Sequence, residues 1–478
     1  MMKRRSGSEE MVGRCGWRGH KRGSLLALLL LVLVGAWVAD ANAIPAFSRK
    51  YQTSCLTCHT VYPKLNPFGE AFRRDGYRFP GIDSDAVRQG TVPLGQPAYR
   101  QLFPKVVWPS SLPADVPLAM GFDGQTVAHP DRDSGAGRAD HRASFSMANT
   151  IAEGHLWAGG SFDDKTTFYS EISVSDTAEL EHAQVLFNDL IGPKHALNLA
   201  VGRMPATLSS FGPHSSYLAD LATTPLFLSA LYGTLDPSWG LGGSYNSFEL
   251  TSLVRGRFDA SAGIAAGAND AVRLTNNYYG HIGCKLGGIR LDGENWAGPS
   301  NPEKPWAERA LTLDAFIYWT RSHFNVPTGV AAAPLALQND RVLTYGGSLR
   351  GQWGSLEIDG GLYQERHDHV LADGGHVRAL VQYDEASYVV FPWLVPAVRF
   401  EYLRLSPEGG PVIHDIRIIP GIALLVRANL KLTLLGQLEQ ARGVPPAGWG
   451  PANGFAAPAA GTSVTELEML AADLAFAF

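Results

Sequence analysis

The chain has 478 residues, of which 18% are charged, with 52 glycines and a formal net charge of −5. An excess of Asp and Glu over Lys and Arg excludes the basic balance that a nucleic-acid partner requires. Beyond the N-terminus no apolar run approaches the ~20 residues of a membrane-spanning helix, which leaves soluble domains or a strand-built membrane barrel as uses for this length.

Residues 1–43 read as an export leader. Lys3, Arg4, Arg5, Arg14, Lys21 and Arg22 form its basic part, and Leu25–Val38 is a 14-residue apolar run. That run is short for a membrane span and right for a signal-peptide core. Ala41-Asn42-Ala43 is the small-x-small pattern of a cleavage site, so the mature chain is expected to start at Ile44, with Met11 as an alternative initiator. Removing the leader takes seven Lys/Arg and three Asp/Glu and moves the net charge from −5 to −9. Such a charge suits solubility or a cationic partner.

Of the four cysteines, Cys15 departs with the leader and Cys284 stands alone in a late segment. The other two lie in Cys55-Leu56-Thr57-Cys58-His59. Cys-x-x-Cys-His is the attachment pattern of a c-type haem. Two thiols three residues apart on a helical turn reach the two vinyl groups, and the next residue, His59, meets the iron as proximal ligand. A thioredoxin-like pair wants a βαβ context and a zinc site wants a second pair of ligands; the chain offers neither. The expected cofactor is one covalent haem c held by Cys55, Cys58 and His59.

Asn66-Pro67 has the form of a helix start, with Asn as N-cap and Pro at the first helical position. Phe68, Ala71 and Phe72 then share one face, and Gly76 closes the helix before Tyr77 and Phe79. A short aromatic helix of this kind covers one edge of a haem. No Met and no second His occurs between His59 and Met120, which excludes a nearby distal Met. The sixth iron position is left open among Met120, His129, His141, Met147, Met204 and His214, the closer Tyr62, Lys64 and Tyr77, water, or no ligand.

From about residue 115 the chain alternates with period two, which means strands with one apolar and one polar face. Leu311, Leu313, Ala315, Ile317 and Trp319 oppose Thr312, Asp314 and Thr320; Leu356, Ile358 and Leu362 oppose Glu357, Asp359 and Glu365; Leu430, Leu432, Leu434 and Leu438 oppose Lys431, Thr433, Gln437 and Glu439. Cys284 falls in the apolar series with Ile282 and Leu286 and reads as a small apolar residue. Alternation alone does not choose between a soluble sandwich and a membrane barrel. Some 360 residues without a helical interruption exceed one sandwich domain. Trp157, Trp319, Trp353, Trp393 and Tyr402 edge the apolar faces as interfacial girdles do. The chain ends on Leu470, Ala472, Leu474, Phe476 and Phe478, which looks like the last strand of a bacterial outer-membrane protein. The expected fold is an outer-membrane β-barrel of about 16 antiparallel strands over residues 111–478, at roughly 22 residues per strand with its loop, behind a small α-helical c-type haem domain over 44–110. The polar lining would face the lumen, and the stretches 128–153, 204–236 and 441–463 would be extracellular.

The segment Ile44-Pro45-Ala46-Phe47-Ser48-Arg49-Lys50-Tyr51-Gln52-Thr53-Ser54, with Pro63, Leu65, Asn66, Phe68-Gly69, Phe72 and Gly76-Tyr77 after the motif, resembles the fused outer-membrane monohaem cytochrome c–porin family. That family includes outer-membrane iron-oxidising cytochromes. The close match covers about residues 44–80, and the remainder agrees in architecture and length. The resemblance implies one haem c on Cys55, Cys58 and His59, and electron transfer across the outer membrane. A haem domain plugged into the lumen would bring an extracellular donor such as Fe(II) within reach, and a periplasmic electron-carrier protein would collect the electron. Outer-membrane lipid would surround the wall. Two competing readings are a diffusion porin with the haem domain as plug or redox sensor, and a soluble periplasmic β-rich redox partner. His367, Asp368, His369, Asp373 and His376, and His129, Asp131, Asp133, Asp140 and His141, are two polar turns with metal-binding residue types that read first as solvated loops.

Overall fold

The computed structural model describes residues 46–477 except 82, 89, 94–96, 106–110, 114–116, 130–143, 147–152, 176, 208–215, 219–243, 267–276, 297–303, 327–335, 370–374 and 443–463. The leader expected over residues 1–43 lies outside them, as do His141, Met147, His214, Asp131, Asp133, Asp140 and Asp373.

The N-terminal part is short elements: helix α1 (Ala46–Tyr51), a 3₁₀ turn (Cys55–Thr57), the antiparallel pair His59–Val61 with Lys64–Leu65, and helix α2 (Pro67–Arg74). Asn66 caps α2, accepting from the Gly69 amide, with Pro67 in the first turn as the sequence predicts. Gly76 follows at φ +68°, a left-handed position that turns the chain toward Tyr77.

Sixteen antiparallel strands then close into one barrel. They are β1 (Leu118–His129), β2 (the two pieces Ser144–Ser146 and Glu153–Ser161), β3 (Thr166–Val174), β4 (Ala178–Phe187), β5 (Asn198–Pro205), β6 (Ser244–Val254), β7 (Phe258–Ala265) and β8 (Asn277–Gly287). There follow β9 (Glu308–Val326), β10 (Ala336–Gly354), β11 (Leu356–His367), β12 (Val377–Tyr388), β13 (Leu394–Pro407), β14 (Ile413–Arg427), β15 (Leu430–Arg442) and β16 (Val464–Ala477). Both pieces of β2 pair with β1. The seam joins β16 to β1 in the register Ala477↔Gly121 and Phe476↔Phe122, so no edge is left open.

Period two governs the wall. On β9, Thr312, Asp314, Phe316, Tyr318 and Thr320 are buried while Leu313 and Ile317 are exposed. On β11, Glu357, Asp359, Tyr363, Glu365 and His367 are buried while Leu356, Ile358 and Leu362 are exposed. An apolar outer face over a charged inner face is the arrangement of a barrel surrounded by hydrocarbon, where closure alone satisfies the backbone. Cys284 lies in the outward series between exposed Ile282 and Leu286. No helix among the described residues is long and apolar enough to cross a membrane.

The short connections 162–165, 255–257, 355, 389–393 and 428–429 share one end with the close of β16. The stretches 128–153, 204–236 and 441–463 connect strands at the opposite end and lie partly outside the described residues. The second of them does not simply project outward. Ser216 Oγ donates to Glu385, and the Tyr217 amide donates to Glu385 Oε1 at 2.9 Å, so this part of the stretch lies buried against the inner wall of β12 and β13. Nor is the lining polar throughout. Val395, Ala397, Ile419, Ala423, Leu435 and Ala471 form a buried cluster with Tyr217, Leu218 and Val61. Inward residues are apolar here because they pack against chain rather than water.

Candidate functional site

The loop that carries Cys55, Cys58 and His59 is held by its neighbours in sequence. Ser54 starts the 3₁₀ turn by accepting from the Leu56 amide, and the Cys58 amide returns to the Cys55 carbonyl at 3.3 Å. Asn66 does more than cap α2. Its Nδ2 donates to the carbonyls of Leu56 (3.1 Å) and Thr57 (3.0 Å), and its own amide donates to the Cys58 carbonyl (2.9 Å). One side chain thus satisfies the loop and the helix together. A Cβ at Gly69 would lie 2.0 Å from the Cys58 carbonyl oxygen, so only glycine lets α2 approach this closely.

Cys55 and Cys58 are not joined in a disulfide. Burial raises both thiols, Cys58 up to about 12. Nδ1 of His59 lies 3.1 Å from the Pro63 carbonyl oxygen. A carbonyl can only accept, so Nδ1 carries the proton and the lone pair sits on Nε2, the tautomer of a ligating histidine. Two thiols on one turn, followed by a histidine of this tautomer, fit a covalent haem. The flank fits too: Phe68, Ala71 and Phe72 are buried as the spacing predicts. Phe72 packs edge-on to Phe47 (5.1 Å between centroids) and Tyr51 (5.8 Å), and Phe68 to Phe79 (4.9 Å).

Residues 46–80 contact inward-facing side chains and the short turns of the barrel. Lys64 is buried in ion pairs with Glu357 and Asp359 of β11, the second at 3.2 Å. Arg350 of β10 joins them, reaching Glu357 at 2.7 Å, Glu70 at 3.4 Å and the Leu65 carbonyl at 3.4 Å. Arg74 pairs with Asp259 of β7. Arg78 donates to the Asp164 carbonyl (2.6 Å) and pairs with Asp189 (3.0 Å) in two of the turns. Tyr77 stacks on Tyr169 of β3 at 5.1 Å.

The candidates for the sixth iron position fare unequally. Met120 is exposed on the outer face of β1 and Lys64 is held in ion pairs with Glu357 and Asp359, so neither is placed to ligate. Tyr77 is stacked between Phe47 and Tyr169. Met204 is buried on β5, and the Tyr62 ring lies 5.5 Å from that of His59. The side chain of His129 lies outside the described residues.

The histidines of 367–376 do not form one turn site. His367 is buried on the inner face of β11 between Asp340 (2.5 Å) and Glu365 (2.6 Å), while half-buried His376 pairs with Glu408 at 2.8 Å. His367 is the ladder partner of Val377, buried with it on the inner face, and His376 falls one residue outside that register. Trp157 is also not a girdle residue. It lies on the inner face of β2, 6.2 Å from Tyr62, because it shares parity with Gly159, which packs under Phe47. Sequence reasoning missed the lumen residues Arg350, Glu171 and His155. The alternation Glu153, His155, Trp157 held a signal, three polar or amphipathic side chains on one strand face.

No protein-family profile and no curated protein matches this chain. Among solved structures the chain is similar to the outer-membrane expressed OmpT of Vibrio cholerae, with a TM-score of 0.51 and 11% identity over 77% of this chain and 99% of that one. It is similar as well to the in-vitro folded OmpT of the same organism, with a TM-score of 0.50 and 9% identity over 77% and 98%. At these identities the likeness speaks for the fold, a closed barrel of the outer-membrane protein kind.

Proposed function

We propose that the chain is an outer-membrane electron-transfer protein, in which residues 44–110 carry one haem c inside a porin-like barrel. The observation that carries this reading is the arrangement of Cys55, Cys58 and His59, with the His59 Nδ1 proton engaged by Pro63 and the whole loop clamped by Asn66. Thioether bonds to the two cysteines and Nε2 of His59 would hold the haem, which supplies a one-electron iron couple when bound. The remaining work belongs to the chain. The aromatic side chains around α2 and the apolar cluster beside Val61, against which Leu56 packs, cover part of the attachment loop, whose residues 55–59 stay half-buried. Ion pairs from Lys64, Arg74 and Arg78 fix that loop to the wall. The barrel brings the loop within reach of an extracellular donor such as Fe(II), with a periplasmic carrier protein as acceptor.

A second reading, a diffusion porin in which the N-terminal segment is a plug, is favoured by the likeness to an outer-membrane barrel. Two measurements on outer membranes separate them. A haem stain that survives denaturing electrophoresis, with reduced-haem absorption on anaerobic addition of Fe(II), is the expected result. Ion conductance in planar bilayers with no covalent haem would give the porin reading instead.

A further inference from the structure

We propose that Asp123, Glu153 and His155 form a divalent-cation site on the inner wall of the barrel, joined to His59 by the rings of Trp157 and Tyr62. The use of this site for electron transfer rests on the reading above; the cation site itself does not.

A carboxylate oxygen of Asp123, one of Glu153 and a ring nitrogen of His155 lie within 4.8 Å of one another. Asp123 and Glu153 are direct partners in the β1–β2 ladder. Like charges set opposite each other on one face destabilise a strand pair, and a cation between them removes that cost. Glu153 has no ion pair or hydrogen bond among the described residues. His155 presents Nε2 to Asp123 at 3.0 Å, while Glu171 Oε1 stands 3.4 Å from Nδ1 on the other side. A carboxylate behind one imidazole nitrogen is how proteins orient a histidine toward a metal at the other. Glu171 is fixed in turn by His182 Nδ1 at 3.0 Å and Tyr169 at 3.2 Å. Two carboxylates and an imidazole suit Fe(II), Mn(II) or Zn(II), and all three donors are half-buried, so an ion can reach them.

The His155 ring stacks on Trp157 with centroids 5.3 Å apart and 5° between planes. Trp157 to Tyr62 is 6.2 Å, and Tyr62 to His59 is 5.5 Å. A Cβ at Gly121 would lie 2.2 Å from the Trp157 ring, so glycine there makes room for the indole. By the β1–β2 register the cation site lies further toward the long-loop end than Trp157. An ion entering from that end meets it before the N-terminal segment. Oxidation there is a one-electron step: bound Fe(II) becomes Fe(III), and the electron's acceptor is the ferric haem on His59, reduced to ferrous.

The test titrates Mn(II) into the full-length, detergent-purified protein and follows the loss of the free Mn(II) paramagnetic resonance signal. We expect one site in the wild type, weakened at least about tenfold in Glu153→Gln and in His155→Ala, with heat-modifiable gel migration unchanged to report an intact barrel. Absence of wild-type binding, or equal affinity in both variants, overturns the site whether or not the chain carries haem. With haem present, Trp157→Leu is expected to bind Mn(II) as the wild type does and to slow haem reduction by Fe(II) at least tenfold, while dithionite reduction is unchanged. An unaltered Fe(II) rate in that variant overturns the ring connection.

Discussion

Replacing Lys64 by methionine should release the N-terminal segment from the barrel wall. Lys64 is fully buried and shares Glu357 and Asp359 with Arg350, which also reaches Glu70. Lys64 and Arg350 therefore share Glu357 and Asp359, while Glu70 is shared between Arg350 and Arg73. Removing Lys64 leaves Arg350 alone on Glu357 and Asp359 in a site shielded from water. Breaking one partner out of a buried ion pair costs about 3–5 kcal/mol. At ~1.4 kcal/mol per factor of ten, the undocked population rises about a hundredfold to a few thousandfold. Limited proteolysis of residues 44–110 in detergent reads that population directly, and bilayer conductance reads the space the segment vacates. Glu357→Gln added to Lys64→Met removes the surplus negative charge and should recover about half of the loss or more. Unchanged protease protection in Lys64→Met would refute the argument that this ion pair fixes the segment. A fall in protection that Glu357→Gln does nothing to repair would instead trace the loss to packing of the lysine stem.

Three further outcomes follow from the same geometry. Asn66→Ala removes a helix cap and two carbonyl clamps at once and should cost about 1–2 kcal/mol, seen as a lower temperature for loss of protease protection; a shift within error would sink the clamp. Gly69→Ala drives a methyl into the Cys58 carbonyl, so it should cost about 1–3 kcal/mol and lower haem-stain yield with the barrel intact, and a normal yield would show that α2 can retreat. The last concerns pH, at a contact between Asp75 and His195 in the turn after β4. Burial pushes Asp75 up to about 7, while burial and then Lys194 push His195 down to about 4, with Nδ1 3.2 Å from Oδ1. A raised carboxyl contributes stability present below its ordinary value of 3.8 and lost as pH rises toward 7. A lowered histidine contributes stability present above its ordinary value of 6.5 and lost as pH falls toward 4. The two oppose each other over this window. Asp75→Asn should therefore make docking of the segment strengthen from pH 4 to 6.5, and His195→Asn should make it weaken from pH 4 to 7, both read by proteolysis; matching flat profiles in both variants would contradict the assignment.

Much of the architecture was legible because it is local. The Asn66-Pro67 helix start and the alternation of β9, β11 and β15 are fixed by spacing of a few residues, and a period of two leaves a strand only one way to sort its side chains. Strand number followed from length per strand. What the sequence could not decide is which inner face meets which partner. Lys64 and Glu357 are 293 positions apart, and nothing in either neighbourhood announces the other. Trp157 has the residue type of a membrane girdle, yet closure of the barrel and the register of β1 with β2 turn it toward Tyr62. The apolar lining near Val395 and Ile419 breaks the rule of a polar lumen for the same reason, since Val61 and Leu218 fill the space that water would otherwise occupy. Periodicity divides a strand into two faces. Only closure around an enclosed segment of the same chain decides what each inner face touches.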